Sequence, residues 1–244
     1  MKKKVLMVLG VCVLMTMFTL SNVNAKDNPT PGTQVVVNTT TDPNGRLNGR
    51  YDPENGLYCS AVLITPNMWL TARHCAGSKA QKGYIGQVYP GQSGWSTPFG
   101  MMIIREYDPD AADDIAIIKG TDRDKTAAYK HYIKSYNTMI YAYNPTDLPK
   151  LKGEKIYSYG YPGGKGGFKQ YKSTGTITDY NRVTHELSTT MPAEGGQSGS
   201  GAFLDNGHFL GIVYATENKM GYLTAKIHPI NERLKKWIDD NKSK

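Results

Sequence analysis

Between Leu57 and Ile227 the apolar residues come in short runs, each stopped by Gly, Pro, Asn or Asp. Residues 61–64 precede a Pro66-Asn67 turn and the run 68–70. The runs 101–104, 115–118, 156–159, 175–178, 209–213 and 222–225 follow at irregular intervals. Each is of strand length and rich in β-branched and aromatic side chains, and no stretch among them keeps a capped 3.6-residue period. That pattern confines the chain to an all-β class. The 26 glycines and 13 prolines suit the many turns such a fold needs. A helical period enters only at the end, where Ile230, Leu234, Trp237 and Ile238 fall on one face after Pro229 and predict a C-terminal α-helix. No tandem repeat is visible.

The first 25 residues read as a signal peptide. Lys2, Lys3 and Lys4 precede an apolar stretch over 5–20, and Val23-Asn24-Ala25 supplies the small residues of a cleavage site. The stretch is too short and too close to that site for a permanent span. Cleavage removes Cys12 and leaves the pair Cys59 and Cys75, which suits export to a disulfide-permissive compartment. It also lowers the formal charge from +8 to +5. After residue 4 no Lys/Arg block interleaves with aromatics, so nucleic acid is not an expected partner. Intrinsic disorder, a multi-span membrane protein and a disulfide-dense miniprotein are excluded. Residues 26–45 are polar and turn-rich, and read as an extended arm or part of a propeptide. The charged, Tyr-rich stretch 121–152 reads as a linker whose tyrosines serve packing.

Three patterns carry chemistry: Thr71-Ala72-Arg73-His74-Cys75, Asp113-Asp114 before an apolar run, and Gly195-Gly196-Gln197-Ser198-Gly199-Ser200. Singly they are a His after a strand, an acidic turn and a glycine loop. The last misses the nucleophile-elbow pattern because Ser200 stands at the second glycine, and too little chain follows for an α/β-hydrolase. In the order His, Asp, Ser they fit nucleophilic catalysis. A serine hydroxyl needs an imidazole to take its proton, and a carboxylate must hold that imidazole in one tautomer. Flanking glycines let backbone N–H groups face a developing oxyanion. The remaining histidines, His131, His185, His208 and His228, show no metal-ligand spacing. The acidic run Asp108, Asp110, Asp113 and Asp114 reads as a turn in preference to a calcium site.

On these motifs the chain resembles the chymotrypsin-like serine proteases. It is most similar to the secreted glutamyl endopeptidases of Bacillus and Staphylococcus, relatives of the exfoliative toxins. Val37-Asn38-Thr39-Thr40, Gly160-Tyr161-Pro162-Gly163 and Leu187-Ser188-Thr189-Thr190 extend the match over most of the chain. The resemblance implies two six-stranded antiparallel β-barrels, over 46–125 and 126–228, with the C-terminal helix over 229–244. It implies a Cys59–Cys75 disulfide stapling the histidine loop. It assigns His74 as general base, Asp114 rather than Asp113 as its orienter, Ser198 as nucleophile, and the N–H groups of Gly196 and Ser198 as oxyanion hole. Ala193, Val213 and Tyr214 would line the substrate pocket. It further implies a secreted monomeric enzyme acting on a protein or peptide substrate without cofactor or metal, with a preference for Glu before the scissile bond.

The sequence departs from that family in two places. Val213 stands where glutamyl endopeptidases place a carboxylate-reading His, and Glu194 lies in a small insertion ahead of the serine. Gln197 stands where animal proteases place an Asp that captures a new N-terminus. Signal cleavage before Lys26 is therefore expected to yield the working N-terminus directly. The rival readings are a narrow-specificity processing protease or toxin, and a non-enzymatic binder retaining the protease fold.

Overall fold

The computed structural model describes residues 30–218 and 221–242. The expected signal peptide and Lys26 lie outside that range. Of the thirteen strands among the described residues, twelve form two closed six-stranded antiparallel barrels and the thirteenth, at the N-terminal side, joins the second as an edge strand. The first runs β2 (Asn48–Pro53), β3 (Cys59–Thr65), β4 (Met68–Thr71), β7 (Ala116–Lys119), β6 (Met102–Pro109) and β5 (Gln81–Pro90), closed by β5 on β2. The second contains β8 (Lys155–Gly160), β9 (Tyr171–Asn181), β10 (Glu186–Pro192), β11 (Gly201–Leu204), β12 (Phe209–Asn218) and β13 (Leu223–Pro229). Pairing of β8 with β9 closes that ring.

Alternation of inward and outward side chains gives each barrel its own apolar centre. In the first, Trp69 is wholly buried among Tyr51, Leu63, Met102 and Ile117, and its indole N–H donates to Tyr129 Oη at 2.9 Å. Leu187, Met191, Leu210, Val213 and Ile227 fill the second. Strands β2 and β5 escape the apolar-run pattern because their sequences, NGRYDP and QKGYIGQVYP, are broken by polar residues and glycine. Gly86 needs to be glycine. Its φ is +134°, and a Cβ there would sit 2.1 Å from the Asp52 carbonyl oxygen across the β2–β5 pair.

The two ends of the chain cross over. Strand β1 (Thr33–Val36) lies beside the first half of β9, where β10, paired with the second half, leaves an open edge. The arm thus belongs to the second barrel's sheet. The C-terminal helix α2 (Glu232–Lys242) instead returns to the first barrel, burying Ile230, Leu234 and Ile238 in its core with Trp237 packed alongside. A short helix α1 (Ala127–Ile133) lies in the stretch expected to be a linker. At seven residues it has only one apolar i,i+4 pair, Tyr129 and Ile133, to betray it, plus the Thr126 cap accepting from the Tyr129 N–H.

Candidate active site

The histidine loop is built by β4, which delivers the chain into a single 3₁₀ turn, Arg73–Cys75. Cys75 is disulfide-bonded to Cys59 at the head of β3, 16 positions away, a closure contributing about 3 kcal/mol. The Tyr107 hydroxyl lies 2.6 and 2.7 Å from the carbonyl oxygens of Arg73 and Gly77 and shapes the same loop. His74 then faces Asp114 twice. Its backbone N–H donates to Asp114 Oδ1 at 2.9 Å, and its Nδ1 lies 2.7 Å from Oδ2. Burial alone would raise the Asp114 carboxyl, but the hydrogen bonds and charge of His74 hold it below the ordinary value. An ionised carboxylate only accepts, so Nδ1 carries the proton and Nε2 keeps a free lone pair.

Asp113 points elsewhere. One carboxylate oxygen lies 3.0 Å from His228 Nε2 and the other pairs with Arg233 of α2. The bonded His228, more than any other group, lowers its carboxyl. Arg233 also clasps Asp110 at 2.6 and 2.9 Å, and the Asp110 carboxylate accepts the N–H groups of Ala112 and Asp113. The acidic run is thus a turn whose Asp110, Asp113 and Asp114 carboxylates serve donors of this chain. Two adjacent aspartates serve two different histidines.

The Ser198 loop is held by the first barrel. Ser60, fully buried and next to Cys59, donates its N–H to the Ser198 carbonyl oxygen at 2.8 Å and its hydroxyl to the Gly196 carbonyl oxygen at 2.8 Å. The same hydroxyl accepts the Tyr161 N–H at 3.1 Å. The Gly163 N–H donates to the Gly195 carbonyl oxygen at 2.8 Å. Because the peptide group is planar and trans, that bond turns the Gly196 N–H the opposite way. Among the described residues, neither the Gly196 nor the Ser198 N–H has an acceptor. Gly196 and Gly199 adopt φ of +92° and +87°; a Cβ would come within 2.5 Å of the Tyr161 carbonyl oxygen and 2.2 Å of the Ser60 carbonyl oxygen respectively.

His74 and Asp114 therefore meet directly, while Ser198, which makes no hydrogen bond to His74 among the described residues, is tied to the histidine loop through Ser60 and the Cys59–Cys75 disulfide. The expected pocket residues behave differently. Ala193 and Val213 are buried in the second core, and Val213 contributes backbone: its N–H bonds the Ser200 carbonyl at 2.9 Å, and its own carbonyl accepts from Gly199 at 2.7 Å. Tyr214 is partly exposed, with its hydroxyl bonded to Glu186, which also pairs with Lys226. Burial, then the Glu186 bond, push the Tyr214 phenol up. Glu194 is bonded to the Gly164 N–H at 2.8 Å. Ser60 and Glu186 belong to no sequence motif; the one local mark of Ser60 is its place beside a half-cystine. Cys59, His74 and Cys75 are the only cluster of potential metal ligands among the described residues, and the disulfide occupies both sulfurs.

A family model described as a trypsin-like peptidase domain matches residues 59–212. No curated protein matches the chain. Among solved structures, a Glu endopeptidase in complex with MPD superposes with a TM-score of 0.70 at 22% identity, covering 88% of this chain and 98% of that one. The thermostable serine protease AL20 from an extremophilic microorganism gives 0.57 at 18% identity, covering 76% and 92%. Protease Anisep from Arthrobacter nicotinovorans gives 0.58 at 17% identity, covering 79% and 94%. At these identities the likeness is one of fold. No helix among the described residues is long and apolar enough to cross a membrane.

Proposed function

Because the chain belongs to the trypsin-like peptidase family, whose model spans well over half of it, we propose that it is a secreted serine endopeptidase working through an acyl-enzyme. His74 takes the Ser198 proton as the hydroxyl oxygen attacks the scissile carbonyl carbon, and returns it to the leaving amine. Asp114 holds the imidazole in the tautomer with Nε2 unprotonated and stabilises the imidazolium. The Gly196 and Ser198 N–H groups receive the oxyanion, each donor contributing about 3–4 kcal/mol. Water activated by His74 then releases the acyl group. The observation that carries this reading is the His74–Asp114 pair joined, across Cys59–Ser60, to a Ser198 turn with two unused N–H donors. Ser198→Ala should abolish turnover of a labelled protein substrate and labelling by a fluorophosphonate probe; retention of both refutes the proposal.

The likeness to a Glu endopeptidase brings a preference for Glu before the scissile bond into the proposal. With Val213 buried, a side chain other than the family's His would read that carboxylate. Peptides varying that residue among Glu, Asp, Leu, Lys and Arg test it, and equal rates for Glu and Leu would remove the preference. Secretion follows from the N-terminal signal pattern; N-terminal sequencing of protein from culture medium should read Lys26, and a start near Val35 or later would contradict it.

A further inference from the structure

We propose that strand β1 positions the catalytic turn: Gln34, acting through Gln197, holds residues 194–197 so that the Gly196 and Ser198 N–H groups face the substrate carbonyl oxygen. This rests on the protease reading above and adds to it a residue 163 positions from its target.

The contacts form a short chain. Gln197 immediately precedes Ser198 and is 1% exposed. Its side-chain Oε1 accepts the Glu194 N–H at 2.9 Å, while its own backbone N–H donates to the Glu194 carbonyl oxygen at 3.2 Å. These reciprocal bonds close the turn that contains Gly195 and Gly196. A backbone N–H can only donate, so the Gln197 amide has one permitted orientation, oxygen toward Glu194. Gln34 reaches that same oxygen at 3.1 Å and must therefore present its NH₂ group. The NH₂ also donates to Ser173 Oγ at 2.9 Å, and Gln197 Nε2 lies 3.4 Å from the same hydroxyl. Gln34 and Ser173 are direct cross-strand partners in the β1–β9 register, so docking of β1 is what brings the amide to Gln197.

The link is made of neutral amides and needs no free ammonium group. It matters because two consecutive glycines give the turn little steric resistance to rotation of the Gly195–Gly196 peptide. Such a rotation would turn the Gly196 N–H out and present a carbonyl oxygen where the oxyanion must form. Bonds from outside the turn's own backbone oppose it: Gly163 N–H on the Gly195 oxygen, the Ser60 hydroxyl on the Gly196 oxygen, and the Gln34–Gln197 pair. Losing one donor of an oxyanion hole outright costs about 10²–10³ in rate. Loosening it with the Gly163 bond intact should cost about 10- to 100-fold.

The test uses the secreted protein and 4-nitrophenyl acetate, which acylates serine without engaging an extended peptide site. The acylation rate should fall about 10- to 100-fold in Gln34→Ala, with an unchanged thermal midpoint, and stay at the wild-type level in Val36→Ala, an exposed change on the same strand. Gln34→Glu should lose at least as much at neutral pH, because a carboxylate cannot donate to the Gln197 oxygen. Its rate relative to wild type should recover as pH falls below about 5, through the ordinary carboxyl range, where that carboxyl takes up a proton and regains a donor. Wild-type rates in Gln34→Ala, or a loss that merely tracks a lowered midpoint and recurs in Val36→Ala, would overturn the inference. A Gln34→Glu ratio independent of pH would do the same. If wild-type Ser198 is itself unreactive, the protease reading falls and takes this inference with it.

Discussion

In Asp114→Asn one carboxylate oxygen becomes an NH₂ group, and the structure decides which. Oδ1 accepts the backbone N–H of His74 at 2.9 Å, a donor that cannot change its role. The amide oxygen must stay there, which puts the NH₂ group 2.7 Å from His74 Nδ1. Two donors cannot share that contact, so Nδ1 becomes the acceptor and the imidazole proton moves to Nε2. In that tautomer Nε2 has no lone pair for the Ser198 proton. The expected loss is about 10⁴-fold in acylation, equivalent to about 5.5 kcal/mol of barrier. Asp113→Asn is the matched control. It removes the ion pair to Arg233 and changes the contact with His228, and should cost stability, about 1–2 kcal/mol for a partly exposed charged hydrogen bond. It should leave the acylation rate per folded molecule within about threefold. Both variants are read by pre-steady-state release of 4-nitrophenol at pH 7.5 and by urea unfolding. An Asp114→Asn rate within tenfold of wild type, or an equal loss in Asp113→Asn, would refute the reasoning.

Three further outcomes follow from the same contacts. Ser60→Ala strips the Gly196 carbonyl oxygen and the Tyr161 N–H of their shared partner in a fully buried place; urea midpoints should report a loss of about 1–3 kcal/mol, with slower acylation. Acid should destabilise the fold through Asp110, Asp113 and Asp114, whose carboxyls all lie below the ordinary 3.8 when folded. Groups of this kind stabilise above the unfolded value and lose that contribution as pH falls from about 4 through their lowered values. Urea midpoints measured between pH 6 and pH 2.5 should fall below pH 4, and less steeply in Asp113→Asn. Reduction of Cys59–Cys75 should lower stability by about 3 kcal/mol, seen as a lower melting temperature in dithiothreitol than in its absence; an unchanged melting temperature would show that the staple carries no load.

Local pattern was enough for the class of this protein. Strand-length runs and a single terminal helical face are written within windows of a few residues, and burial of one face per strand enforces them. The three motifs that hold His74, Asp114 and Ser198 could be read for the same reason: each sets its residue types within a few positions, as the glycines around the serine do. Tertiary structure decided what depends on direction and on distant partners. The place of Asp114 directly before the apolar strand, as in the family it resembles, favours it over Asp113, and the structure supplies the directions: adjacent carboxylates leave the backbone differently, Asp114 toward His74 and Asp113 toward His228. Val213 and Ala193 could not be seen to lie in the core, since the β12 and pre-serine segments would read the same with those side chains lining a cleft. Ser60 meets Gly196 across 136 positions and Gln34 meets Gln197 across 163. Such polar contacts leave no periodic trace in a sequence. They exist only after closure of two barrels has brought the ends of separate strands together.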